Sequence, residues 1–271
     1  MSAQRVAAVI GSPISHSRSP QIFSRAFAEV GLQWDYVRYD VPAGRGAAAI
    51  ESLRTLGLVG LSVTMPLKEE VAAAVDRLTS SAQALGAVNC VAWDEDTVVG
   101  HNTDGAGFVA SLRHEGVSLD GSRIVVVGAG GAARAIVDAL GRTNAAEIVV
   151  VNRTHESAIL AAALAPSMAR VDSAHTISDA DIVVNTTPLG MNGTPFEGRT
   201  SFDVSLLTND TTVVDIVYNP LETPLLQAAA LRGCRTIDGL GMLAHQAANQ
   251  FRLWTGLEPP IDAMLDAARN S

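Results

Sequence analysis

Positive charge is scarce in this chain. Nineteen Lys and Arg face 28 Asp and Glu, for a formal net charge of -9. A protein that grips nucleic acid neutralises phosphates with clustered cations, so that class of partner is excluded. A small anionic ligand is not excluded, since a few local cations and a helix N-terminus suffice to hold one. Cysteine is nearly absent. Cys90 and Cys234 are the two present, which gives neither a disulfide framework nor metal-ligand spacing, so no metal is expected. Long apolar runs are lacking too: Val6 to Ile10 is interrupted by Gly11-Ser12-Pro13, too short for a signal-peptide core or a membrane span. The expectation is a reduced, cytoplasmic protein with no membrane partner. Aromatics are 4% of residues, which points to a core of Ala, Val, Leu and Ile. Internal repeats and low-complexity linkers are missing as well.

What is present is a regular alternation over 271 residues, a length that suits one large or two medium α/β domains. Strands are predicted at Val6 to Gly11, Trp34 to Val41 and Val59 to Met65, with helices between them. The first helix opens on Ser19-Pro20, Ser as N-cap and Pro at the first helical position. Val88 to Trp93 and Thr97 to Gly100 read as an antiparallel pair about Asp94-Glu95-Asp96, followed by a helix from Gly105 to His114. A second series begins at Ser122. Arg123 to Val127, Glu147 to Val151, Asp181 to Asn185, Thr212 to Val217 and Cys234 to Asp238 alternate with helical stretches, and Ala244 to Gly256 and Pro260 to Arg269 close the chain as two helices. Strands alternating with helices at this spacing imply βαβ units and parallel sheets.

Gly128-Ala129-Gly130-Gly131-Ala132-Ala133 fits G-x-G-x-x-A between a strand and a helix. Glycine there allows a tight turn and close approach of the backbone to a pyrophosphate at the positive helix end. After the next strand an NAD binder usually places an acid for the ribose. Asn152-Arg153-Thr154 stands here instead, and Arg153 suits a 2′-phosphate through its planar fork, so the expected cofactor is NADP(H). Lys68 opens a helix, where the dipole field disfavours the ammonium form and eases proton exchange. The competing reading is a surface lysine before Glu69 and Glu70. Asp104 ends Gly100-His101-Asn102-Thr103-Asp104 at a strand's carboxyl end, where ligands collect in open α/β sheets; helix capping is its competing reading. Ser17 and Ser19, in the hydroxyl-rich loop from Gly11 to Pro20, offer bonds to a carboxylate. Asn185 to Met191, Asp215 to Pro220 and Gly239 to Leu243 mark further strand ends, and His245 and Gln246 follow on a helix.

Taken in order, G-S-P-I-S-H-S-R-S-P, S-V-T-M-P-L-K, G-H-N-T-D-G-A-G, G-A-G-G-A-A-R-A, N-R-T, N-T-T-P-L-G-M, D-I-V-Y-N-P-L-E-T-P-L-L and D-G-L-G-M-L-A-H-Q-A resemble the shikimate dehydrogenase family over essentially the whole chain. The resemblance implies a two-domain α/β protein with a cleft between the domains. An N-terminal substrate domain (1–105), completed by the last helices (239–271), would carry an inserted Rossmann-type NADP-binding domain (106–238). It implies a reversible NADPH-dependent reduction of 3-dehydroshikimate to shikimate by a monomer or homodimer. Lys68 and Asp104 would be catalytic. Ser17 and Ser19 would hold the substrate carboxylate, with Tyr218 nearby, while Thr64, Asn89, Asp104 and Gln246 would hold ring hydroxyls. Gly128, Ala129, Gly130, Gly131, Ala132, Asn152, Arg153, Thr154, Ile216 and Gly239 would line the cofactor.

Three departures from the family pattern stand out. Ser62 replaces the usual Asn before Val-Thr, and Phe23-Ser24 replaces a frequent His-Asn. Ser157 stands where a second base often follows N-R-T, which implies phosphate recognition resting on Arg153 and weaker NADP selectivity. Alternatives on the same scaffold are a quinate or aminoshikimate dehydrogenase. From other classes, a catalytically idle NADP-binding regulator would keep the glycine loop but lose Lys68 or Asp104, and a pterin-linked methylene dehydrogenase should lack the serine loop.

Overall fold

The computed structural model describes residues 5–270. The first half runs β1 (Arg5–Gly11), α1 (Ser19–Glu29), β2 (Trp34–Asp40), α2 (Gly46–Leu56), β3 (Gly60–Val63), α3 (Lys68–Ala72), β4 (Arg77–Leu78), α4 (Ser80–Leu85), β5 (Cys90–Asp94), β6 (Thr97–His101) and α5 (Asp104–His114). It continues with β7 (Arg123–Val127), α6 (Gly131–Leu140), β8 (Glu147–Val151), α7 (His155–Ala162), β9 (Ala169–Val171), β10 (Ile182–Asn185), β11 (Thr212–Asp215), α8 (Pro224–Leu231), β12 (Arg235–Ile237), α9 (Leu240–Thr255) and α10 (Ile261–Arg269). Short 3-10 turns cover Ala174–Asp179 and Val204–Leu206. The chain divides into two compact units. One runs to Gly107 and resumes at Leu243; the other is Phe108–Met242.

The first unit holds a six-stranded sheet in the order β2-β1-β3-β5-β6-β4. β1 pairs in parallel with β2 and β3, while β5 is antiparallel to both β3 and β6. Alternation along the strands sends Ala8, Ile10, Leu61 and Val63 to one face, where they pack with Ile50 and Leu53 of α2 and Val71 of α3. The scarce aromatics gather elsewhere in this unit. Phe23 lies 4.4 Å from Tyr36 in a stacked pair and 4.9 Å from Trp254, and Phe27 contacts Trp34 and Phe251. The core expected from Ala, Val, Leu and Ile therefore has a large aromatic component here. Phe23 is fully buried, which accounts for an apolar residue at that departure from the family pattern.

The second unit is a fully parallel sheet, β12-β11-β10-β7-β8-β9. Both faces are covered, as its continuous apolar strands require. Ile124, Val126, Ile148 and Val150 pack with Ile136 and Leu140 of α6, and Val125, Val149, Val183 and Val213 pack with Leu225 and Ala229 of α8.

Several local expectations change. Ser19 is not the N-cap: α1 begins at Ser19 after Arg18, and the Ser17 hydroxyl accepts from Ser19 N at 3.3 Å. Asp104 is the first residue of α5 rather than its cap, and Asn102 Oδ1 accepts from Asp104 N instead. α9 begins at Leu240, four residues before the predicted Ala244. β4, β9 and α4 are additional elements of six residues or fewer, below the length at which periodicity is readable.

Candidate active site

In the first unit, three strand ends bring one polar cluster together. Lys68, at the start of α3, donates from Nζ to Asp104 Oδ2 at 2.6 Å. The lysine side chain is 27% exposed and the carboxylate 12%, so the pair is partly shielded from water yet open to a ligand. Of the two acids that follow it, Glu70 is engaged away from the lysine. Glu70 accepts from Gly44 N at 2.7 Å and Gly46 N at 2.9 Å, securing the start of α2, and these two amides hold its carboxyl below the ordinary range.

Asn89, just before β5, is buried and orients the aspartate. Its Nδ2 donates to Asp104 Oδ1 at 2.7 Å and to Thr103 Oγ1 at 3.0 Å, while its Oδ1 accepts from Thr103 N at 2.7 Å. Gln246 joins through its Oε1, 3.4 Å from Asn89 Nδ2. α9 approaches this closely because residue 107 of α5 is glycine: a Cβ there would lie 2.5 Å from Gln246 N.

Behind this cluster runs a directed hydrogen-bond chain that the sequence did not disclose. Tyr36 donates to Ser62 at 2.6 Å, Ser62 donates to Gln250 Oε1, Gln250 Nε2 donates to Gln246 Oε1 at 2.6 Å, and Gln246 Nε2 donates to Leu243 O at 2.9 Å. Each member polarises the next, which favours one orientation of the Gln246 amide. Burial raises the Tyr36 phenol, so it stays a donor at neutral pH. Gln250 lies four residues after Gln246, the helical spacing that places both on one face; that spacing was its available signal. Ser62 is thus a relay hydroxyl at the position where the family usually has Asn.

The remaining candidates sit as follows. Ser19 is buried, and Arg38 Nη2 donates to Ser17 O at 2.6 Å, holding the loop against β2. Thr64 lies between β3 and α3; its N donates to Ile10 O at 3.0 Å, and its hydroxyl has no hydrogen-bond partner among the described residues. Tyr218, foreseen beside the serines, belongs to the second unit and follows β11.

The second unit carries the glycine loop. Gly128 has φ +115°, and a Cβ would run into the Thr186 hydroxyl, so only glycine fits. Gly130 and Gly131 instead have open space where a Cβ would stand. Gly130 precedes α6, whose N-terminus has no side-chain cap, leaving first-turn amides available to an anionic ligand. Ala129 and Ala132 flank them, both half-buried. Asn152, Arg153 and Thr154 follow β8 and line a cavity of about 850 Å³ together with Gly128 and Thr187. Ile216 N donates to Asn185 O at 3.1 Å, and Gly239 packs against the Ile216 carbonyl. The loop edge is braced by Asn185, whose Nδ2 donates to Asp215 Oδ1 at 2.9 Å, while Thr223 donates to Asp215 Oδ2 at 2.7 Å. Val217 N donates to Asp215 Oδ1 as well, at 3.1 Å, and burial pushes the Asp215 carboxyl up against the lowering effect of these three hydrogen bonds. The open glycine cradle and uncapped helix suit a pyrophosphate, and Arg153 suits a 2′-phosphate, so the residues fit NADP(H). Among the described residues no His, Cys, Asp and Glu group could hold a metal, and no helix is long and apolar enough to cross a membrane.

Three family profiles match the chain. Shikimate dehydrogenase substrate binding domain covers residues 9–91, Shikimate / quinate 5-dehydrogenase covers 110–191, and Shikimate 5'-dehydrogenase C-terminal domain covers 239–269. The NADP(+) shikimate dehydrogenase of Symbiobacterium thermophilum is 40% identical, over 97% of this chain and 93% of its own. The Thermus thermophilus shikimate 5-dehydrogenase solved with NADP(H) and shikimate superposes with a TM-score of 0.92 at 35% identity, covering 98% of this chain and 99% of that one. The Corynebacterium glutamicum quinate dehydrogenase solved with NAD gives 0.88, also at 35% identity, covering 99% of each chain.

Proposed function

The chain belongs to the shikimate dehydrogenase family, and from that premise we infer that it catalyses the reversible NADP(H)-dependent reduction of 3-dehydroshikimate to shikimate. The observation that carries the assignment of roles is the 2.6 Å contact between Lys68 and an Asp104 already oriented by Asn89. When bound, NADPH supplies the hydride that the ring ketone carbon accepts. The ketone oxygen then gathers negative charge, and Lys68 holds the proton it needs at Nζ. Asp104 fixes the lysine and accepts from the neighbouring ring hydroxyl. Asn89, Gln246 and Thr64 bond the remaining hydroxyls, and Ser17 and Ser19 hold the carboxylate. In the reverse direction the same lysine takes the proton back, and its partial exposure allows exchange with water.

The first unit is then the substrate domain and Phe108–Met242 the cofactor domain. Gly128 to Ala132 cradle the pyrophosphate, Arg153 with Asn152 and Thr154 receives the adenosine phosphate, and Ile216 and Gly239 line the nicotinamide side. The reading carries with it a cytoplasmic monomer or homodimer that binds small molecules and no nucleic acid. The two buried free cysteines and the net charge of -9 support this. A quinate-oxidising, NAD-linked enzyme is the second reading, favoured by the likeness to the Corynebacterium quinate dehydrogenase and by Ser157. An idle NADP-binding regulator is disfavoured because Lys68 and Asp104 are both present and paired.

The test is reduction of NADP⁺ and of NAD⁺ at 340 nm with shikimate and with quinate. Turnover confined to NADP⁺ and shikimate supports the main reading. Preference for NAD⁺ or quinate moves the enzyme to the second, and silence in all four assays with NADPH still bound refutes both.

A further inference from the structure

Arg153 is not the only guanidinium at the cofactor cavity. The chain after β10 makes a long excursion before the Val204–Leu206 turn, and its course is set by its own backbone. Gly190 N donates to Phe196 O at 2.9 Å, Met191 N to Pro188 O at 3.1 Å, and Arg199 N to Phe196 O at 3.3 Å. Gly190, at φ +90°, lets the returning strand pass close, with the Arg199 carbonyl 3.3 Å from where a Cβ would stand. The loop thereby returns Arg199 and Ser201 to the wall of the cavity that Arg153 and Thr154 line.

Two features of this wall are unexplained by the fold. First, neither the Arg153 nor the Arg199 guanidinium has a hydrogen-bond or ion-pair partner among the described residues. The acid nearest in sequence is engaged elsewhere: Glu197 Oε2 accepts from Gly193 N at 3.2 Å. Two unpaired cations on one cavity repel each other unless an anion lies between them. Second, Ser201 Oγ is screened from solvent and has no partner, a donor that folding alone leaves unsatisfied. Dianionic phosphate with three acceptor oxygens meets both needs, and arginine forks bind it in pairs.

We propose that Arg199 is a second specificity-determining cation for the cofactor's 2′-phosphate, taking the place of the base absent at Ser157. The proposal rests on the NADP reading above and locates the second charge on a different segment of the fold. Its consequence is that NADP selectivity is not weakened by Ser157.

The test is equilibrium binding to the intact protein, by calorimetry, of NADP⁺, NAD⁺ and 2′,5′-ADP to wild type, Arg199→Gln and Arg153→Gln. Arg199 is exposed and unpaired, so its replacement leaves the fold intact. Loss of a charge-assisted phosphate contact is expected to raise the Kd for NADP⁺ and 2′,5′-ADP about tenfold in Arg199→Gln, with NAD⁺ unchanged within about twofold. The salt dependence of NADP⁺ binding should also become shallower, and Arg199→Lys should recover part of the affinity. If Arg199→Gln weakens NADP⁺ and NAD⁺ equally, or neither, while wild type still prefers NADP⁺, the assignment of Arg199 is overturned and the NADP reading stands. If wild type itself shows no preference for NADP⁺, the NADP reading falls and this assignment with it.

Discussion

Replacing Asn89 separates the orienting of Asp104 from the integrity of the fold. In Asn89→Ala the Asp104 carboxylate loses its 2.7 Å amide donor and the Thr103 N–H loses its 2.7 Å acceptor. Thr103 is 5% exposed, so water does not readily replace what is lost. A hydrogen bond to a charged group contributes about 1.5–3 kcal/mol, and a buried amide left bare costs about 1–3 kcal/mol. Together these predict roughly 2.5–6 kcal/mol of lost stability, or about 5–24 °C in Tm at about 2–4 °C per kcal/mol. Asn89→Asp is the sharper variant. It keeps an acceptor for Thr103 N but sets a second carboxyl against Asp104, so one of the two must take up a proton. The first variant should lose stability and activity together. The second should lose less stability, while kcat/KM for shikimate falls about 100-fold, equivalent to about 2.7 kcal/mol. Thermal unfolding and initial rates at 340 nm read both quantities. If Asn89→Asp keeps kcat/KM within about twofold of wild type, Asn89 does not orient Asp104 and the account of the cluster is wrong.

Two further outcomes follow from the same geometry. Gly128→Ala forces a side chain into φ +115° against Thr186; it should destabilise by about 1–3 kcal/mol or more and weaken NADP⁺ binding, and calorimetric affinity equal to wild type would remove the glycine cradle from the account. Stability should also depend on pH in a defined order. Burial and the nearby Arg77 lower His101 from its usual 6.5, so its contribution is complete above about pH 6.5 and is lost as pH falls through its folded value. Glu70 and Asp76 are lowered by backbone amides, so theirs is complete above about pH 4.5 and lost on further acidification. Asp215 is raised, and its burial penalty is relieved as it protonates, which softens the decline. Tm should therefore begin to fall below about pH 6.5 and fall faster below about pH 4.5, with His101→Gln flattening the first phase; a Tm that rises between pH 7 and pH 5 contradicts this assignment.

The parallel sheet around the glycine loop was legible because runs such as Ile124 to Val127 and Ile148 to Val151 are apolar at every position, the signature of strands covered on both faces. The loop itself was legible because glycine is demanded by local geometry at Gly128, whatever surrounds it. Lys68 and Asp104 were visible as strand-end charges, but each had a competing local role. The structure separates these roles by engaging Glu70 with Gly44 and Gly46 and by placing Asp104 inside α5. The Tyr36–Ser62–Gln250–Gln246 chain was not legible, because its members are 26, 188 and 4 residues apart and only the last spacing is a local signal. Arg199 was hidden for a related reason. It sits in a Gly- and Thr-rich loop without periodicity, and only the tertiary path of that loop returns it to the cavity of Arg153.

The most direct test of the central claim, that Lys68 carries the proton of the reaction, is Lys68→Ala measured for both turnover and shikimate binding. Positioned proton transfer contributes about 10²–10⁴-fold, so kcat should fall by that factor while the Kd for shikimate stays within a few fold of wild type. Turnover near the wild-type rate would show that the proton comes from another group and that the 2.6 Å pair is structural.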